Sequence, residues 1–230
     1  VVQVAGDTTV EPDETLMVTL SSATNATIGD AQGVGTIVND DVSTSCPCSL
    51  WSVSTTAGPR DSDQTAVELG LKFRSDVAGT ITGLRFYKYA ENTGTHVGSL
   101  WTESGTPLGS VTFTAETASG WQQATFATPI AIQANTTYVA SYHTNVGFYA
   151  ATEQGFVAAV DRAPLHALAS GASGGNGLYR YSATSQLPNL TWNASNYWVD
   201  VVLATPADTP LPALSINDVT VTEGNSGTTN

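Results

Sequence analysis

Alternation of apolar and polar residues with a period of two, interrupted every few residues by Gly, Asn or Pro, most limits how this chain folds. It recurs in AVELGLKF from Ala66, TITGLRFYKYA from Thr80, GSVTFTA from Gly109, QQATFATPIAI from Gln122, TYVASYH from Thr137 and YWVDVVLA from Tyr197. Successive side chains of a strand point to opposite faces, so each stretch has one apolar face that must be covered by a second sheet. Many short strands with turn residues between them predict an all-β β-sandwich or jelly roll. The spacer residues are mainly Thr, Ser, Asn and Gly, which suits strands and tight turns, and charged residues are only 12% of the chain. No segment has the periodicity of a long amphipathic helix.

The 230 residues divide by composition. Residues 1–41 read as strand, acidic turn, strand, Gly-rich turn and strand. Residues 46–204 hold all five Trp and both Cys. A Pro-rich spacer at 205–213 follows, and alternating residues from Ser215 to Val221 in 214–230 predict one more strand before a Glu223-Gly224 turn. Within the middle block, 158–177 is rich in Ala, Ser and Gly and is expected to be loop with one short helical turn.

A net charge of −13 with only seven Lys and Arg argues against nucleic acid and anionic lipid as partners. No apolar run is long enough to span a membrane, so membrane insertion is not expected. Carboxylates gathered in loops instead suit a calcium ion, which takes six to eight oxygen ligands.

Two resemblances give this reading a frame. The stretch GDTTVEPDETLMVTLSSATNATIGDAQGVGTIVNDD in residues 1–41 resembles the C-terminal half of a Calx-beta domain, and LSINDVTVTEGNSGTTN resembles the N-terminal strands of one. The resemblance implies partial Ig-like sandwiches at both ends, each short of the ~100 residues such a fold uses. It also implies a calcium site drawn from Asp7, Glu11 and Glu14 in the acidic turn, Asp40 and Asp41, and Glu223. The middle block, through CPCSLW, VELGLKFRSDVAGTITGLRFYK, NTGTHVGSLWTESGTPLGSVTF, NTTYVASYH, APLHAL, GLYRY and NYWVDVVLA, resembles the bacterial extracellular family catalogued as domain of unknown function 4082. That family implies a secreted or cell-surface setting, beside Ig-like, Calx-beta and sugar-active modules.

The residues of the middle block suggest where a ligand would sit. Trp192, Tyr179 and Tyr181 lie in Gly- and Asn-rich stretches and are the best exposed candidates for stacking on a glycan. Arg85, Tyr87 and Tyr89 share one face of their strand and Asp200 lies on another half-buried strand, so Arg85 and Asp200 are expected to pair beneath an aromatic platform. His96, His143 and His166 show no metal-site spacing. Asp61 with Asp63, and Glu103 with Glu116, have no context for acid–base chemistry, and no nucleophile elbow or phosphate loop is present. The expectation is therefore not an enzyme. Cys46 and Cys48 flank Pro47, and either a small disulfide ring or two separately packed thiols fits that spacing. The favoured function is a structural or adhesive module of a large secreted or surface protein. It would be rigidified by calcium and joined head to tail with neighbouring copies or repeats by strand complementation. The alternative is a carbohydrate-binding module.

Overall fold

The computed structural model describes residues 13–24, 27–37 and 46–205, and every regular element within them is a β-strand. In chain order these are β1 (Glu14–Thr19), β2 (Gln32–Ile37), β3 (Val67–Ser75), β4 (Gly79–Lys88), β5 (Val97–Thr102), β6 (Pro107–Thr112) and β7 (Gly120–Ile132). Then come β8 (Tyr138–Thr144), β9 (Val160–Arg162), β10 (Leu165–Ala167), β11 (Leu178–Tyr181), β12 (Leu190–Thr191) and β13 (Val199–Ala204). The alternating stretches in the sequence became strands because each has a sheet to cover its apolar face.

The larger sheet runs β12-β11-β3-β8-β5-β6, all antiparallel. β11 pairs with the first half of β3, and β10 with the second half, with β9 folded back on β10. The smaller sheet runs β13-β4-β7, with Val199 opposite Phe86 and Val201 opposite Leu84. Val67, Leu69, Leu71 and Phe73 of β3 meet Leu84, Phe86, Val199 and Val201 across the interface, all buried. Each such side chain contributes about 1.5–3 kcal/mol by leaving water. Phe86 stacks on Tyr142 with centroids 4.2 Å apart and receives Phe113 edge-on at 4.8 Å. Gly98 lets the sheets approach: a Cβ there would stand 2.9 Å from Leu84 and 3.0 Å from Phe113.

The outer face of the smaller sheet is organised by charge. Arg85 and Asp200 are cross-strand partners, buried, with Nη1 and Oδ2 3.4 Å apart. Asp200 also accepts hydrogen bonds from the amides of Leu50 (2.9 Å), Trp51 (3.2 Å) and Val201 (2.8 Å). The Arg85 guanidinium lies 4.4 Å over Trp121, which is grouped with Trp51 and Trp198. The pair is the one that strand-face alternation implied; of the rings, Trp198 shares the Asp200 strand face, while Trp51 and Trp121 come from segments that the alternation did not connect to it. Burial pushes Asp200 up and Arg85 down, and their mutual attraction opposes both shifts. Cys46 and Cys48 form a disulfide, and Cys48 exchanges backbone hydrogen bonds with Leu203 (2.8 and 2.9 Å). The segment bearing Leu50 and Trp51 is thereby stitched to β13.

Three expectations need correction. The interval 158–177 contains the strands β9 and β10 rather than a helical turn; pairing to the end of β3 outweighs its Ala- and Ser-rich composition. Glu14 is the first residue of β1, opposite Ile37, rather than part of a turn. VGSLWT, which the alternation did not single out, is β5. Asp7, Glu11, Asp40, Asp41 and Glu223, with the strand expected at 214–230, lie outside the described residues.

The Asp200 geometry predicts asymmetric mutational costs. Asp200→Ala strands a guanidinium and three amides, and a loss of about 3–5 kcal/mol is expected in urea unfolding. Arg85→Met leaves a carboxyl that retains its three amide donors and can take up a proton, so its cost is smaller. Equal costs for the two variants would contradict this account.

Candidate ligand-binding cleft

The two sheets differ in width, and the site arises from that difference. β13 packs over β3 and β8, β4 over β5, and β7 over β6, so β11 and β12 extend past the cover. Tyr179 is opposite Leu69 and Tyr181 opposite Val67, which places both rings on the inner face of the larger sheet. Beside Leu69 and Val67 of β3, the uncovered strand carries tyrosine on this face. The two rings meet edge-to-face at 5.7 Å.

Loops close the other sides. Residues 59–63 run beside 148–151, through Asp61 N to Tyr149 O (2.8 Å), Phe148 N to Asp63 O (2.7 Å) and Ala151 N to Pro59 O (3.0 Å). Gly147, at φ 68°, makes that approach possible, since a Cβ there would lie 2.2 Å from Asp63 O. Thr152 and Asn196 exchange backbone hydrogen bonds of 2.9 and 2.8 Å, bringing Ser195 and Tyr197 against Tyr149. Tyr149 and Tyr197 are again edge-to-face, at 5.8 Å. A turn closed by Ser195 N to Trp192 O (3.0 Å), with Asn193 and Ala194 in the left-handed region, holds Trp192 outward and 62% exposed.

The result is a cleft of about 330 Å³ whose walls include Asp61, Asp63, Glu153, Tyr179, Tyr181 and Trp192. That volume is at the lower end of the ~300–1,000 Å³ typical of small-ligand sites. Asp63 accepts from Tyr181 Oη (2.7 Å), the Thr65 amide (2.9 Å) and, more distantly, Tyr149 Oη (3.5 Å). Burial works against its ionisation, but these donors outweigh burial and hold its carboxyl below the usual range. The same bond to Asp63, with burial, pushes Tyr181 up to about 12, and burial pushes Tyr197 up to about 12. At neutral pH the cleft therefore presents a fixed carboxylate among fully protonated phenols.

Tyr179, Tyr181 and Trp192, chosen from the sequence as exposed aromatics, line this one cleft. Its acidic members are a different matter: Asp61 and Asp63 lacked any apparent chemical context, and Glu153, Tyr149 and Tyr197 were not singled out. The Asp-Ser-Asp stretch at 61–63 is the only local hint, because the contact that gives it meaning joins Tyr181 to Asp63 across 118 positions. The histidines do not converge. His96 is buried between Glu116 (2.7 Å) and Asn92 (2.9 Å), His143 meets Ser182 O (2.9 Å), and His166 bridges Asp76 and Asp161 (both 2.6 Å). Glu103 and Glu116 pair with Lys72 and Lys88. Among the described residues no group of three or more His, Cys, Asp or Glu is placed to hold a metal ion, and no helix is long and apolar enough to cross a membrane.

An all-β, sandwich-like domain with an aromatic and acidic cleft at the overhang of its wider sheet is thus the class of protein defined. Residues 53–199 match the family model described as Domain of unknown function (DUF4082), and the chain belongs to that family. No curated protein matches it. The matched span contains the whole cleft.

Beneath the β11–β12 loop that joins Tyr181 to Trp192 lies a buried carboxyl, Glu68. It meets Ser141 Oγ (2.6 Å) and the Gln186 amide (3.3 Å), and the Trp101 indole donates to Ser141 Oγ (2.9 Å). Burial raises Glu68 from an ordinary 4.5 to about 7 despite the donors. Between those values the folded chain keeps a proton that the unfolded chain releases. Stability therefore falls as pH rises through that window, by roughly 3 kcal/mol, and the contribution is flat above it. Glu68→Gln reproduces the protonated pattern, its amide donating to Ser141 and its carbonyl accepting from Gln186. Asp200, raised by burial to about 6, adds a slope of the same sign at the acid end, so urea midpoints measured across this range should show a shallower slope in Glu68→Gln, most clearly between pH 6 and 7; an unchanged slope would assign it elsewhere.

Proposed function

We propose that this domain is a glycan-binding module of a secreted or cell-surface protein and that the overhang cleft is its combining site. The observation that carries this reading is the convergence of Trp192, Tyr179 and Tyr181 on one cleft with Asp61, Asp63 and Glu153. Sugars present C–H faces that pack on the electron-rich faces of aromatic rings, and hydroxyls that donate to carboxylates. Trp192 is a large apolar ring left in water at the rim, where a stacking ligand would cover it. The Cys46–Cys48 disulfide supports an oxidising, extracellular setting. The reading is of binding without turnover.

A scaffolding role is a second reading, favoured by the β1–β2 hairpin. Its Met17 and Val34 are 60% and 66% exposed, and a two-stranded sheet is marginal alone. Strands of a neighbouring copy or repeat would cover it, in keeping with the Calx-beta resemblance and with calcium at Asp7, Glu11, Glu14, Asp40, Asp41 and Glu223. This reading expects concentration-dependent, calcium-dependent association of the full chain in sedimentation velocity; a monomer at all concentrations would remove it.

For the glycan reading, the chain applied to a glycan array is expected to bind a restricted set of oligosaccharides. Trp192→Ala and Tyr181→Ala should weaken the best of them by about 30-fold, equivalent to ~2 kcal/mol. Circular dichroism should be unchanged, because Trp192 contributes little to the core. Retained binding in both variants would place the site elsewhere.

A further inference from the structure

We infer that the cleft selects a sugar bearing a free ammonium group, a de-N-acetylated hexosamine, over its N-acetylated and uronic-acid counterparts. This deepens the glycan reading and rests on it. Among the described residues, no side-chain cation forms an ion pair with Asp61, Asp63 or Glu153. Of the basic residues adjacent in sequence, Arg60 donates to the main-chain carbonyl of Asp61 (3.1 Å), but its ion pair is with Glu91 (3.4 Å) and it lies 5.0 Å over Phe148; Arg180 donates to Leu187 O (3.4 Å).

The internal hydrogen bonds of the three carboxylates show which oxygens already have a protein donor. Asp63 is occupied on both oxygens, by the Thr65 amide and the Tyr181 hydroxyl. Asp61 uses Oδ1 for the Asp63 amide, and Glu153 uses Oε2 for the Asn193 side-chain amide (2.9 Å). Oδ2 of Asp61 and Oε1 of Glu153 are thus the acceptors that a ligand cation would meet, with Asp63 adding fixed negative charge behind them. The tyrosine and tryptophan faces favour positive charge for an independent reason, their quadrupole. An ammonium gains from both features. An acetamide gains from neither charge term, and a uronate would face three carboxylates without compensation.

The test is calorimetric titration of the full chain with tetramers of glucosamine, N-acetylglucosamine and galacturonate at low and high salt. The glucosamine tetramer is expected to bind about tenfold or more tightly than the N-acetylated one, with the galacturonate tetramer silent and the preference shrinking in salt. In Asp61→Asn/Glu153→Gln the affinity ratio of the first two should fall toward one. Equal or tighter binding of the N-acetylated or uronate tetramer overturns the inference, as does an undiminished ratio in the double variant. If a neutral oligosaccharide binds through Trp192 without any ammonium preference, the inference falls and the glycan reading stands. If no oligosaccharide binds, or methylammonium alone competes as well as the tetramer, both fall.

Discussion

A carboxylate without access to water, Asp200, holds together the parts of the molecule that are far apart in sequence. Removing an ion from water costs several kcal/mol, and only a full set of donors offsets it. Here the set comes from Arg85 on the neighbouring strand and from the Leu50, Trp51 and Val201 amides. Those bonds leave the 50–51 segment one position relative to β13. Trp51 then stands beside Trp121 and Trp198, and the Trp198 indole donates to Thr152 Oγ1 at 2.9 Å. Thr152 is the residue whose backbone ladder to Asn196 builds one wall of the cleft. A continuous path of directional contacts thus runs from the buried ion pair to the candidate site.

Polar networks also occupy the outer face of the larger sheet, and they serve the loops. Glu68, Ser141 and Trp101 form one beneath Gln186, with Ser99 and Ser185 hydroxyls 3.0 Å apart beside it and His143 reaching Ser182 O. Buried polar groups of this kind are costly unless satisfied, so the loop that satisfies them is held in one arrangement. The loop from Tyr181 to Leu190 is consequently a fixed spacer between two rim aromatics. Function carried on loops needs such anchoring, because side chains on an unanchored loop would have to be ordered again on each binding event.

Period-two alternation was sufficient to place the central strands, since in β3, β4, β8 and β13 one face is apolar along most of its length and had to be buried. It was insufficient for β9, β10 and β12. These are two or three residues long and exist because β3 and β11 offer them free edges, a tertiary fact with no local trace. The same divide runs through the site. Tyr179, Tyr181 and Trp192 were legible as aromatics in turn-rich sequence, where burial in the core is hard to arrange. Asp61, Asp63 and Glu153 look like ordinary surface acids until 59–63 is laid against 148–151. The Arg85–Asp200 pair was legible because strand-face parity is a local property, and two opposite charges on half-buried faces have few other ways to be satisfied.

The change from Leu69 and Val67 on β3 to Tyr179 and Tyr181 on β11 shows how one sheet face serves two purposes. Under the smaller sheet, Val67 and Leu69 join a core of aliphatic and aromatic side chains that excludes water and contributes stability. Past its edge an aliphatic face would be an exposed apolar patch, whereas tyrosine offers a ring for packing and a hydroxyl for solvent or for Asp63. Tyr181 is fixed by its bond to Asp63 and by Tyr179 edge-on, and Tyr149 and Tyr197 fix each other. Four of the five rings in the cleft are therefore ordered before any ligand arrives, which lowers the entropic cost of binding. Trp192, at the rim and mostly exposed, is the ring with most freedom left to lose, and its indole face is the largest. Affinity at such a site would be governed by how much of Trp192 the ligand covers, while selectivity would be set by the carboxylates that the tyrosines hold in place.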